Sequence, residues 1–294
     1  MPSNLPTLQE QINKEILENQ KDLTDFEKRK KIFDYWLSYD GEDKIVIFSD
    51  LLKKIGLSKP AEFFSKIPTL DKLIDGFRTG QLVIISAPTG QGKTSFCQTL
   101  TENFYIQDQK CLWFTFEVPL QEFVEKFSDK VPDFYVPMKL RSSNVEWIKL
   151  KILEGMAKYG TNIVFIDHLH FLIDMEMLSR SNTSLTIGSI MRNLKTFALD
   201  NNVLIFLISH LKKVKLDENE DPSIDDIRDS SFISQESDVV LVMKRKQEKR
   251  DSEFVYTTQA RLVVAKNRRS GKLGLVNLVY SNNKFIEVDI THNE

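Results

Sequence analysis

The chain has 294 residues, 41% of them hydrophobic and 28% charged, with a formal net charge of −2. That length holds one large core plus an appendage, and the composition is that of a soluble globular protein. The near-neutral balance excludes a globally basic protein, so any contact with DNA or RNA has to come from local patches. No signal peptide and no run of about 20 apolar residues is present, which predicts a soluble, cytoplasmic chain with no membrane contact. Cys97 and Cys111 lack metal-ligand spacing and are expected to be buried, reduced thiols.

In chain order, the first 40 residues stand apart. Leu8, Ile12 and Ile16 follow i, i+4 spacing, and Phe26, Phe33 and Trp36-Leu37 continue at helical spacing with Lys28 to Lys31 on the outer faces. The pattern predicts one or two amphipathic helices, too small to form a core alone. Asp40-Gly41-Glu42-Asp43 reads as a break, and Ser49 to Leu57 as a short helix ended by Gly56 and Pro60. The expected organisation is a helical extension over 1–60 and a single domain over 61–294.

From about residue 61 onward, strands and helices alternate. Apolar runs at 82–86, 111–116, 162–167, 203–209 and 238–243 lack polar alternation, as strands buried on both faces do. Val145 to Tyr159 and Ile187 to Leu199 carry helical periodicity. Arg261 to Ala265, Leu273 to Tyr280 and Lys284 to Val288 are close-set and read as an antiparallel meander. The predicted fold class is α/β, with a mostly parallel sheet and an antiparallel C-terminal part. Two charged stretches, Lys212 to Asp226 and Lys244 to Glu253, are expected to be mobile loops.

The most specific motif is Ala87-Pro88-Thr89-Gly90-Gln91-Gly92-Lys93-Thr94, a phosphate-binding loop with Ala in place of the first Gly. It follows the strand run Leu82 to Ser86 and precedes Ser95 to Leu100, which can open a helix. Backbone N–H groups and the positive end of the helix dipole then converge on one spot. In such a loop Lys93 reaches the β- and γ-phosphates, and the Thr94 hydroxyl ligates Mg²⁺. A Gly-rich turn with no ligand is the alternative, and the apolar strand before it argues against that.

Further candidates stand at strand ends. Asp167 closes Asn162 to Asp167 and reads as an Mg²⁺-holding acid or as a helix N-cap. Glu117 follows Leu112 to Phe116; it is either the group that orients an attacking water or a solvated strand-end carboxylate. His210 closes Leu204 to Ser209 and could hydrogen-bond a γ-phosphate or be structural. His168 and His170 suggest a metal, but no third ligand stands at the right spacing, which argues against zinc. Lys266-Asn267-Arg268-Arg269-Ser270-Gly271-Lys272 is a basic turn: a solvated hairpin tip, or the source of an arginine finger.

Together these blocks resemble the RecA-type motor domain of the hexameric replicative helicases, the family containing bacterial DnaB, the bacteriophage helicase-primases and mitochondrial Twinkle. The resemblance runs from about Phe63 to Val288. It is carried by Gly80 through Phe96, Phe114 through Pro119, Ile166 through Phe171, Leu207 through His210, Asp226 through Ser230 with Gln235 through Asp238, and Ala265 through Arg268 with Gly271. It implies a RecA-like fold and an ATP-driven, ring-forming motor that moves 5′ to 3′ on single-stranded DNA, with ATP and Mg²⁺ as cofactors. It also implies that Glu117 is the catalytic glutamate and His210 the γ-phosphate sensor. Arg268 takes the place of the finger given in trans, with Lys266 as a second cation. The nucleotide would be cradled by Thr89, Gly90, Gln91, Gly92, Lys93, Thr94 and Ser95.

The family's DNA-binding loops would follow Asp174 and Leu211. The second of these is acidic over Asp217 to Asp221, leaving Lys212, Lys213 and Lys215 as the nameable DNA contacts. Residues 1–60 are short for the helical or primase-like N-terminal domain of the family. The N-terminal helix resembles the linker that docks on an adjacent subunit, and a primase partner would then be a separate polypeptide. The competing readings are a recombination ATPase that forms filaments on DNA and a nucleotide-switched replication accessory protein.

Overall fold

The computed structural model describes residues 24–41, 44–55, 62–128, 130–141, 144–173, 183–210, 222–227, 230–250 and 253–288. The chain divides into two units, Met1–Lys59 and Pro60–Glu294. In the first, helix α1 (Asp25–Ser38) begins at a capping box: Glu27 N–H donates to the Thr24 hydroxyl at 3.4 Å, and Thr24 N–H donates to the Glu27 carboxylate at 2.8 Å. That reciprocal pair satisfies donors that a helix start leaves open. A second helix, α2 (Phe48–Ile55), follows. The Leu8, Ile12 and Ile16 stripe lies outside the described residues.

In the second unit β1 (Glu62–Phe63) and β2 (Phe77–Arg78) pair around α3 (Pro68–Ile74). The main alternation then runs β3 (Leu82–Ala87), α4 (Lys93–Tyr105), β4 (Leu112–Thr115), α5 (Leu120–Val124), α6 (Val145–Tyr159), β5 (Ile163–Asp167), α7 (Thr183–Asn201), β6 (Leu204–His210) and α8 (Ser230–Glu236). Strands β7 (Val239–Arg250), β8 (Glu253–Asn267), β9 (Gly274–Ser281) and β10 (Lys284–Glu287) complete it. The sheet order is β10-β9-β8-β7-β3-β6-β5-β4. β7, β3, β6, β5 and β4 are parallel, and β8, β9 and β10 add antiparallel.

The parallel strands are buried on both faces, which is why their sequences carry no polar alternation. Val83, Ile85, Trp113, Phe165, Phe206 and Leu241 point to one layer, with Phe96, Leu100 and Phe104 of α4. Ile84, Phe114, Val164, Ile166, Leu207 and Val240 point to the other, with Ile148 and Ile152 of α6 and Met191 and Leu194 of α7. Across neighbouring strands of the first layer, Trp113 stacks on Phe165 at 4.6 Å and Phe165 on Phe206 at 4.6 Å, while Phe77 meets Phe206 edge-on at 4.9 Å. Such a row locks strand order by shape as well as by area.

Lys244 to Glu253 corrects the sequence reading. Its described residues are not a loop: β7 runs on to Arg250 and β8 begins at Glu253, pairing Arg245 with Ala260, Gln247 with Tyr256 and Glu248 with Val255. β7 last pairs with β3 at Val242, so beyond that point the two strands form a ribbon without β3 alongside. A ribbon wetted on both faces needs no apolar alternation, and its charges therefore mimic a loop. In the other stretch read as a loop, Lys212 to Asp226, residues 212–221 lie outside the described residues and Ile224–Asp226 forms a short 3₁₀ turn. Among the described residues no helix is long and apolar enough to cross a membrane.

Candidate nucleotide site

Strand β3 ends at Ala87, and the chain turns through Pro88 to Gly92 before α4 begins at Lys93. Gly90 and Gly92 have φ of 78° and 93°, the left-handed region that favours glycine. At Gly92 there is a second constraint, because a Cβ would sit 2.9 Å from Cζ of Phe285. Gly92 is the N-cap, and its carbonyl accepts from Phe96 N–H at 2.8 Å. The open N–H groups of the first turn of α4 then face the loop, together with the positive end of the helix dipole.

The loop is held from the ribbon side. Gln91 is buried; its Oε1 accepts from Arg245 N–H at 2.8 Å, and its Nε2 donates to the Tyr256 hydroxyl at 3.4 Å. The Arg245 guanidinium lies 5.9 Å from the Tyr256 ring centre and 5.6 Å from that of Tyr280, and its Nε donates to Thr257 O at 3.0 Å. Sequence reasoning missed this cluster. The signal was the basic and aromatic interleaving of Lys244 to Tyr256, hidden because that stretch reads as a loop.

Lys93 folds over the loop, its Nζ donating to Ala87 O at 3.0 Å and Pro88 O at 3.2 Å. Burial pulls its pKa down, and the neighbouring Glu117 and Asp167 carboxylates oppose that. The Thr94 hydroxyl donates to Asp167 Oδ2 at 2.7 Å. Asp167 is fully buried, and its Oδ1 has no hydrogen-bond partner. Burial raises its pKa to about 6, against the Thr94 hydrogen bond that lowers it. A buried carboxylate with an unsatisfied oxygen beside a threonine hydroxyl is a donor set that suits a hard divalent cation. The N-cap alternative for Asp167 does not hold: the 3₁₀ turn Leu169–Leu172 has His168 at its N-cap, with no side-chain cap bond.

Glu117 lies just past the end of β4, with its side chain 39% exposed. His210 ends β6 opposite Ala87. His168 is buried between them: its Nδ1 is 3.8 Å from Glu117 Oε2, and its ring meets His210 edge-on at 4.3 Å. Burial, then His210 and His170, press the His168 pKa down to about 3. Ligand atoms of Glu117, His168 and His210 all lie within 4.8 Å of one another. The spacing argument against a third ligand beside His168 therefore fails in space, because the partners come from two other strands.

Lys93, Thr94, Asp167, Glu117 and His210 are thus brought to one rim of the sheet, with Thr89, Gly90 and Ser95 in or beside the loop. Arg268 and Lys266 are not. Val83 pairs with Val239, and Val239 with Asn267. Arg268 N–H donates to Asp238 O at 2.8 Å, and Leu82 N–H donates to Asp238 Oδ2 at 2.8 Å. Arg268 therefore stands at the start of β3 while the loop leaves its end, about 17 Å away along the strand. Its side chain is 57% exposed, with the guanidinium 3.9 Å from Asp238 Oδ1. Lys266 Nζ donates to Ser234 O and Ser237 O. Lys212, Lys213 and Lys215 lie outside the described residues.

A "Probable replicative DNA helicase" of Trieres chinensis is 26% identical over 286 residues, covering 83% of this chain and 62% of that protein. "Replicative DNA helicase DnaB" of Haemophilus influenzae is 26% identical over 281 residues, 84% of this chain and 58% of its own length. The chain thus spans about three fifths of the length of these curated relatives. A solved DnaB-like replicative helicase, described with its interactions with primase, superposes with a TM-score of 0.68 at 20% identity over 95% of this chain and 75% of that one. That likeness bears out the RecA-like α/β fold with its large mixed sheet. The family model for the DnaB-like helicase C-terminal domain matches residues 63–146 and 134–287, and the chain belongs to that family.

Proposed function

We propose that the chain is the ATP-hydrolysing motor of a replicative-type DNA helicase, acting in a homo-oligomeric ring on single-stranded DNA. The observation that carries this is the split between rims: a phosphate loop, two carboxylates and a histidine at one end of β3, and an exposed arginine at the other. One copy cannot bring Arg268 to its own loop, whereas copies arranged head to tail can supply it to each other. A rotation that closes gives a ring, of six subunits by family resemblance.

Thr94 and Asp167 would hold Mg²⁺, which when bound neutralises charge on the phosphate oxygens. Lys93 would exchange its contacts with Ala87 O and Pro88 O for the β- and γ-phosphates. Glu117, half-exposed on the same rim, orients the attacking water. His210 hydrogen-bonds the γ-phosphate and registers its loss, and Arg268 of the next subunit stabilises the charge that develops in the transition state. Arg245 with Tyr256 and Tyr280 offers a guanidinium and two ring faces beside the loop, a surface of the kind that holds a nucleobase. Lys212, Lys213 and Lys215 are the proposed DNA contacts, a primase is the proposed partner, and the cytoplasm the proposed compartment.

ATPase rate measured with and without single-stranded DNA, alongside native mass, tests this reading. The expected result is DNA-stimulated hydrolysis by an oligomer. A monomer that binds ATP without turnover at any DNA concentration contradicts it.

A further inference from the structure

We propose that Glu117, His168 and His210 form a binding site for a borderline transition-metal dication, separate from the Thr94 and Asp167 position and taking Zn²⁺ in preference to Mg²⁺. Two imidazoles and one carboxylate are the donor set of open zinc sites, in which a fourth position is left to water. Magnesium keeps to oxygen ligands and favours the all-oxygen pair of Thr94 and Asp167, so the two sets discriminate by ligand type.

The geometry is close to what such an ion needs. The three residues present ligand atoms within 4.8 Å of one another, and His168 Nδ1 lies 3.8 Å from Glu117 Oε2. Ligands about 2.0–2.1 Å from a tetrahedral ion stand roughly 3.4 Å apart, so pairs at the 4.8 Å limit would have to close by roughly 1.4 Å and the His168–Glu117 pair at 3.8 Å by only about 0.4 Å. Glu117 can close its own distances to the two histidines, since it stands beyond the end of β4 with a half-exposed side chain. His168 is fixed by burial and by edge-on packing against His210 and Phe171. Its Nδ1 is a buried polar atom with no hydrogen-bond partner, 3.8 Å from the Glu117 carboxylate. A ligated ion would satisfy it.

One consequence rests on the hydrolysis reading given above: an ion held by Glu117 and His210 removes both from their work at the γ-phosphate. Zn²⁺ would then inhibit turnover while leaving the Lys93 cradle able to bind nucleotide. Metal binding itself does not depend on that reading and is measured without nucleotide.

The test uses the full chain without an affinity tag, stripped of metal, with Zn²⁺ titrated against a chromophoric chelator and Co²⁺ followed by its visible absorption. The expected result is one Zn²⁺ per chain and the intense absorption of low-coordinate Co²⁺. His168→Ala and Glu117→Gln should each weaken Zn²⁺ binding at least about tenfold, since each removes a ligand. His170→Ala removes a ring that lies 5.5 Å from that of His168 but outside the set, and should change affinity less than about threefold. Should His168→Ala fold poorly, Glu117→Gln at the exposed edge carries the test. Absence of stoichiometric Zn²⁺, unchanged affinity in folded His168→Ala or Glu117→Gln, or an equal loss in His170→Ala overturns the proposal. So does Zn²⁺ inhibition of hydrolysis that persists in His168→Ala, which would move the ion to Thr94 and Asp167.

Discussion

Lys93 and Asp167 are buried charges held by a few short contacts, and each makes a separable prediction. Lys93→Ala is expected to abolish detectable phosphate release, because no other cation of the loop reaches the same position. Glu117→Gln keeps the loop and the Thr94–Asp167 pair intact, so nucleotide binding should persist while turnover falls on the order of a hundredfold or more. Near-normal turnover in Glu117→Gln would remove it from the chemistry. Asp167 predicts a trade between stability and function. Burial raises its pKa from 3.8 to about 6, so the folded state holds a proton that the unfolded chain releases. Its contribution to stability is then fully present below about pH 4 and lost as pH rises through about 6. Metal-free Asp167→Asn should accordingly be more stable than the parent at pH 8, by on the order of 2–3 kcal/mol in unfolding free energy and so with a higher melting temperature, and no more stable at pH 4. Equal melting of the two proteins at pH 8 would contradict it. Lys93, Thr94 and Asp167 were legible in sequence because one local pattern and one strand end announce them. His168 was not, since its significance depends on Glu117 and His210 arriving from other strands.

Among elements, those buried on both faces were the most legible. α6 runs from Val145 to Tyr159 as its periodicity predicts, and the cores of β3, β5 and β6 lie within their apolar runs. What escaped was the ribbon of β7 and β8, whose pairing is set by backbone hydrogen bonds and leaves no apolar signature. Its base holds the phosphate loop through Gln91, so loop and ribbon form one mechanical element. Gly92→Ala tests how tightly that element is built. A side chain there meets Phe285 and must hold φ near 93°, a strain on the order of 1–3 kcal/mol confined to the loop. Titration with a fluorescent nucleotide should show lost affinity with the global melting transition retained; unaltered affinity would mean that the loop is free to move. Phe206→Ala, at the centre of the aromatic row, should instead cost about 3–5 kcal/mol in denaturant unfolding, felt by the whole sheet.

For the whole molecule, the central claim is that the chemistry belongs to a pair of subunits. Within one chain, the loop and Arg268 lie at opposite ends of β3, and Asp238 ties the arginine's backbone to the start of that strand. Arg268→Ala and Lys93→Ala should each be nearly inactive alone, the first with intact loops and no fingers, the second with fingers and dead loops. In an equal random mixture with subunit exchange verified, about one quarter of the head-to-tail interfaces join an intact loop to an intact finger. Phosphate release by that mixture is the most direct measurement. The account predicts hydrolysis well above that of either variant alone, approaching a quarter of the parent rate where subunits fire independently. No recovery at any mixing ratio, with exchange demonstrated, would contradict it and leave Arg268 an arginine of the hairpin turn.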